Sequence, residues 1–174
     1  MSLAELNIDT DPSAARAQLE DACRLGDRAY ARRFARERIV RSMLARSEGD
    51  ETQAQRLLEE AIALCRADPS VDQEVLAIAL AARLHSDRSE GNEALGRAEE
   101  ARTILTQAKV RRTELVMERL SPVLLAHSAG PEASSFRIEA LRLVEDRADR
   151  IRDRQLRETY LGSPVVRAIR AVPS

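Results

Sequence analysis

The sequence predicts an all-α chain of about seven to eight helices, paired as antiparallel hairpins, on three observations. Apolar residues recur at three- and four-residue spacing through most of the chain, and no segment alternates with period two for long enough to argue a strand. Six glycines and six prolines in 174 residues leave too few turns for a sandwich or a barrel. Two helical segments forty residues apart carry small and apolar residues at the same places, the mark of a hairpin that stacks on copies of itself.

Residues 1–11 read as a disordered or non-native leader, and 12–174 as a single helical-repeat domain. Asp11 before Pro12 supplies an N-cap and a first-turn proline, opening a helix to about Gly26. A second helix spans about 27–46. Its Tyr30 and Phe34 project opposite Ile39 and Met43, which predicts a helix held between neighbours on two sides rather than one broken near Arg36–Arg38. The turn Ser47-Glu48-Gly49-Asp50 leads to a third helix, about 51–67, with Ala54, Leu57, Leu58, Ala61, Leu64 and Cys65 in one stripe. Asp68-Pro69-Ser70 ends it.

The fourth helix, about 71–86, is apolar around most of its circumference and belongs inside. After Ser89-Glu90-Gly91-Asn92 a fifth runs over about 93–108, with Ala94, Ala98, Ala101, Ile104, Leu105 and Ala108 on one face. The sixth, about 109–126, meets Pro122, which should kink or end it. Ala129-Gly130-Pro131 breaks the chain before a seventh helix, about 133–151, whose Phe136, Ala140, Leu141, Leu143, Val144, Ala148 and Ile151 face inward. Two short helices, about 153–161 and 164–171, close the chain, the last with Ser163 as cap and Pro164 in its first turn.

Composition excludes several classes. The 28 basic residues (27 of them arginine, with Lys109 the lone lysine) against 29 acidic leave a net charge of −1, which lacks the footprint of a general nucleic-acid binder. Two Phe, two Tyr and no Trp supply little for base stacking or an aromatic pocket. No apolar run approaches the roughly 20 residues of a membrane span. Without a secretory signal at the start, the expected location is the cytoplasm. Cys23 and Cys65 fall in apolar helical stretches and read as small buried hydrophobes rather than a disulfide or redox pair.

At an offset of 40, Ala54, Leu58, Ala61, Leu64 and Cys65 fall on Ala94, Ala98, Ala101, Ile104 and Leu105, and the tripeptide Ser-Glu-Gly precedes both helices, at 47–49 and 89–91. The seventh helix reads as a third copy through Ala140 and Val144, with Arg147 where an alanine is expected. Gly49-Asp50 followed by Ala54, Leu58 and Ala61 resembles the second half of a tetratricopeptide repeat, and Ala94, Ala98 and Ala101 repeat the spacing. The matching units cover about 30–108. The first-helix aromatic and glycine of the standard repeat are absent, and its closing proline comes late, at Pro69. The resemblance implies a right-handed solenoid of stacked hairpins serving as a protein-interaction scaffold. The ending, Leu156 to Leu161 and then Ser163-Pro164-Val165-Val166, is similar to the close of helical regions in large bacterial signalling or regulatory proteins.

No HExxH, CxxC, Walker-type or GxGxxG sequence is present, so no catalytic residue, metal ligand or cofactor is assigned. His85 and His127 read as helix-end residues suited to the dipole, and the pairs Glu59-Glu60 and Glu99-Glu100 as solvated flanks. Charge is distributed unevenly: residues 24–46 hold eight arginines against Asp27 and Glu37, whereas 47–100 hold 13 acidic against five basic residues. Arg28, Arg32 and Arg36, at i, i+4 and i+8, line one side of the second helix. They form either a solvated face balanced by the acidic third helix or a partner-binding site in which guanidinium forks clamp carboxylates; phosphate or nucleic acid is the third option. Over 137–157 arginines and acids alternate as for i,i+4 pairing on an exposed helix. The functional expectation is a non-catalytic module binding a protein or peptide, an acidic one by these arginines. The alternative is homodimerisation through the apolar fourth helix and through Val165, Val166, Ile169 and Val172 of the tail.

Overall fold

Helices follow one another with short, capped turns in the computed structural model, which describes residues 11–25, 31–108, 110, 113–128 and 130–171. In chain order they are α1 (Pro12–Leu25), α2 (Ala31–Ser47), α3 (Glu51–Ala67), α4 (Val71–Asp87), α5 (Gly91–Gln107), α6 (Thr113–His127), α7 (Gly130–Arg150), α8 (Arg154–Leu161) and α9 (Pro164–Ala171). No strand occurs among the described residues. The leader, apart from Asp11, lies outside them. The chain divides into two compact units, Met1–Ala81 and Ala82–Ser174.

In the first unit α2 packs against both α1 and α3. Ala15 of α1 meets Val40 and Leu44 of α2, with Met43 against them. Helix α2 runs unbroken through Arg36–Arg38, and Ala35, Ile39, Val40, Ser42, Leu44 and Ala45 are all buried. Its two-sided apolar pattern therefore reflects two neighbours. Along α3 the stripe Ala54, Leu57, Leu58, Ala61, Ile62 and Cys65 is buried. Burial pushes the Cys65 thiol up to about 11, with Glu74 and Asp68 adding to it, so the side chain behaves as a small hydrophobe. Cys23 lies on α1, outside the described side chains.

The second unit joins α6 to α5 and α7, and α9 to α6, α7 and α8. Its core gathers Leu125, Ala140, Val144, Val166 and Ile169, flanked by Phe136, Leu141, Tyr160, Leu161 and Val165. Helix α6 passes through Pro122 without ending. A mid-helix proline forfeits one backbone bond. Here Leu120, Ser121, Val123 and Leu124 around it are at most 2% exposed, and their burial outweighs that loss. The α7 helix starts at Gly130, earlier than its breaker residues suggest, because Pro131 fits a first turn, where no N–H is needed.

The repeat is sharper in the structure than in the residues. Adding 40 to the bounds of α2 and α3 gives those of α4 and α5: 31–47 and 51–67 become 71–87 and 91–107. The turns agree bond by bond. In the first hairpin the Glu48, Gly49 and Asp50 amides donate to Leu44, Arg46 and Ala45 carbonyls at 3.0, 3.1 and 2.8 Å. In the second, Arg88, Ser89 and Glu90 donate to Leu84, Ser86 and His85 at 3.2, 3.0 and 2.9 Å. Both turns need a left-handed residue, Gly49 at φ 83° and Ser89 at φ 62°. The two Ser-Glu-Gly tripeptides are thus not equivalent: Ser89 matches Gly49, and Gly91 is already the first residue of α5.

Candidate functional site

Three arginines of the second helix are the sequence's candidate site, and the structure describes them unequally. Arg28 lies outside the described residues; Arg32 is on α2, its side chain not described; Arg36 is half-buried on α2. Their neighbours are engaged within the chain. Arg38 donates through Nε to Glu60 of α3 at 2.8 Å and lies 3.5 Å from Glu37, and Arg41 reaches Glu37 at 2.8 Å. Arg16 of α1 pairs with Glu48. The acidic third helix therefore neutralises part of the basic second one.

A second site, formed wholly within the second unit, lies where α5, α6 and the first turns of α7 converge. It is a cleft of about 440 Å³ lined by Leu95, Glu99, Arg102, Thr103, Thr106, Leu124, His127, Ser128 and Phe136. Arg102 stacks on the Phe136 ring, 4.5 Å from its centroid. Thr103 donates its hydroxyl to the Glu99 carbonyl and Thr106 to that of Thr103, both at 2.9 Å. Each hydroxyl proton is thereby used, and each oxygen keeps acceptor capacity.

Of the two histidines, His127 lines this cleft and His85 does not. His85 donates from Nδ1 to the Glu90 carboxylate at 2.6 Å, which explains why Glu90, unlike Asp50 at the matching position, makes no side-chain cap. His127 shares a 2.9 Å hydrogen bond between Nε2 and Ser86 Oγ. Its ring lies over Gly91, where an added Cβ would come 3.0 Å from Nδ1 and 3.4 Å from Cε1. Gly96, in the middle of the same helix, has open space around its Cβ direction. Gly96→Ala should therefore stabilise by about 0.5–1 kcal/mol through helix propensity alone. Gly91→Ala should destabilise by about 1 kcal/mol, since the tethered ring must move. Adding His127→Ala should turn that second effect into a gain, a coupling read from urea titrations of the single and double variants.

Glu60 accepts from Arg38 and Arg56, and Glu100 from Arg97, as structural ion pairs. Over 137–157 the pairing is part i,i+4, as in Arg142–Asp146 at 3.8 Å, and part across the α7–α8 turn, as in Arg157–Asp149 at 2.7 Å. Arg147 leaves the alanine stripe altogether. It pairs with Glu118 of α6 and covers the Tyr160 ring at 5.1 Å, while Ala140, Val144 and Ala148 are the buried residues of α7. Burial pushes the Tyr160 hydroxyl up to about 12, with Glu118 adding to it and Arg147 and Arg170 opposing. Among the described residues no three His, Cys, Asp or Glu side chains gather so as to hold a metal ion.

Sequence reasoning missed the cleft. One signal pointed to it: at an offset of 40, Arg102 takes the place of Ile62, which is 2% exposed in the first hairpin. Replacing a buried isoleucine by an arginine opens the stripe at that point and brings a cation to its edge.

No protein-family model matches the chain, and no curated protein matches it by sequence. Among solved structures it is similar to a Podosopora anserina chain described as a kinesin light chain with nearly identical TPR-like repeats. The TM-score is 0.54 at 15% identity, covering 97% of this chain and 92% of that one. The fold is that of a tetratricopeptide-like helical array.

Proposed function

We propose that this helical array is a non-catalytic scaffold that holds a segment of a protein partner, with Arg28, Arg32 and Arg36 contacting acidic side chains of that segment. The observation that carries the reading is the forty-residue identity of helix bounds and turn bonding between α2–α3 and α4–α5. A chain built from repeated hairpins presents a long, regular surface, and such arrays recognise extended or helical segments of other proteins. The local excess of arginine over 24–46 gives that surface a sign, and guanidinium forks suit carboxylates.

Equilibrium binding of acidic peptides to the parent and to the Arg28→Ala/Arg32→Ala/Arg36→Ala variant tests the assignment. The expected result is a loss of about tenfold or more, steeper at low salt. Unchanged affinity removes the three arginines from the site.

The dimer alternative relies on apolar residues that this fold buries. Val166 and Ile169 of the second-unit core are 0% exposed, and Val75, Ala77, Ile78, Ala79 and Ala82 of α4 are 0% exposed as well. Val172 lies outside the described residues. The buried tail therefore adds nothing in favour of self-association.

A further inference from the structure

We propose that the α5–α6–α7 cleft is a second recognition site, which takes a mixed-charge peptide segment by seating an acidic side chain on Arg102 and a basic one on Glu99. The proposal rests on the scaffold reading and adds to it a site within the second unit.

Many of the described arginines reach a carboxylate: Arg38, Arg41, Arg56, Arg83, Arg97, Arg147, Arg154 and Arg157 all do, at hydrogen-bond range. Arg102 is half-buried, and among the described residues no carboxylate lies within ion-pair range of its guanidinium. Among the described residues its guanidinium lies over the Phe136 ring. The ring contact restrains the guanidinium and uses none of its five N–H donors. A guanidinium restrained against a ring at the edge of a cleft pairs with an incoming carboxylate at reduced entropic cost.

The remaining lining sets what accompanies that carboxylate. Glu99, Thr103 and Thr106 follow one stripe of α5 at i, i+4 and i+7. Glu99 is exposed and has no cationic partner among the described residues. With their protons committed to helix carbonyls, the two threonines offer acceptors only. This acceptor row repels a dianion such as a phosphate group and favours N–H donors: a lysine or arginine side chain and the amides of a peptide backbone. Leu95 and Phe136, both half-buried, add apolar contact beside these polar groups. The volume falls in the range of small binding clefts, enough for a few residues of a peptide.

A phage-displayed library of random short peptides, selected on the full chain, tests the assignment. Enriched peptides should carry Asp or Glu close to Lys or Arg. They should bind Arg102→Gln about tenfold or more weakly, with Arg102→Lys between the two because it keeps the charge and loses the stacked fork. Selection on Glu99→Gln should shift the enriched sequences toward acidic residues without the basic neighbour. Far-UV circular dichroism and the urea midpoint of Arg102→Gln should match the parent. Enriched peptides that bind Arg102→Gln as well as they bind the parent overturn the cleft assignment. If those peptides instead fail on the Arg28, Arg32 and Arg36 variant, the scaffold reading stands and the cleft alone is lost. A selection that enriches no peptide contradicts both.

Discussion

Ile169→Ala is expected to lower the unfolding free energy by about 2–5 kcal/mol. Ile169 is 0% exposed and packs with Val166 against Leu125 of α6 and Ala140 and Val144 of α7. Truncation removes three carbons from a site with no solvent to fill it, so the transfer loss and the cavity add. The helix that carries Ile169 has only eight residues, too few to hold its shape in water without packing. Its docking and its helicity should therefore be lost together. Urea titration followed by circular dichroism reads the result. A change below about 0.5 kcal/mol would mean that the last helix is not part of the second-unit core.

Ala61→Leu should also destabilise the fold. Ala61 is 0% exposed in the stripe of α3, which packs along α2. The alanines of this stripe let two backbones approach closely, and a leucine there must push the pair apart or leave its rotamer well. The expected cost is about 1–3 kcal/mol, at the upper end because nothing around the residue is open. Ala63→Leu, on the exposed side of the same helix, is the control and should stay within about 0.5 kcal/mol. Equal urea midpoints for the two variants would remove the alanine stripe as the device that closes the hairpin.

Helix placement was legible because its signals are local. Asp11-Pro12, Asp50, Asp153 and Ser163-Pro164 act through the side-chain or first-turn chemistry their types suggest. The errors lie where tertiary packing overrides local preference. Pro122 stays inside α6 because its neighbours are buried, and Gly130-Pro131 open α7 because the first turn tolerates them. The tripeptide match misled for a different reason. The turn requires one left-handed residue, and Ser89 fills a position that composition would give to glycine.

The cleft was illegible for the same physical reason that most binding sites are. Arg102 and Phe136 are 34 residues apart, and only the fold brings one over the other. Glu90 illustrates the point at smaller scale. As a capping residue it looks like a weaker Asp50, yet its carboxylate serves His85 instead. Side-chain roles of this kind depend on which helix end arrives opposite, which periodicity does not encode.

The forty-residue hairpin is the repeating unit of α2–α5. Deleting residues 51–90 joins Asp50 directly to Gly91, so that the α2 turn leads into α5 with its capping aspartate in place. For a repeat array this removal keeps every remaining element in register. Far-UV circular dichroism with urea titration should show unchanged helicity per residue and one cooperative transition, while deletion of residues 51–80, which breaks the register, should lose both. If the forty-residue deletion is as unfolded as the thirty-residue one, the repeat is not the structural unit, and the scaffold reading built on it fails.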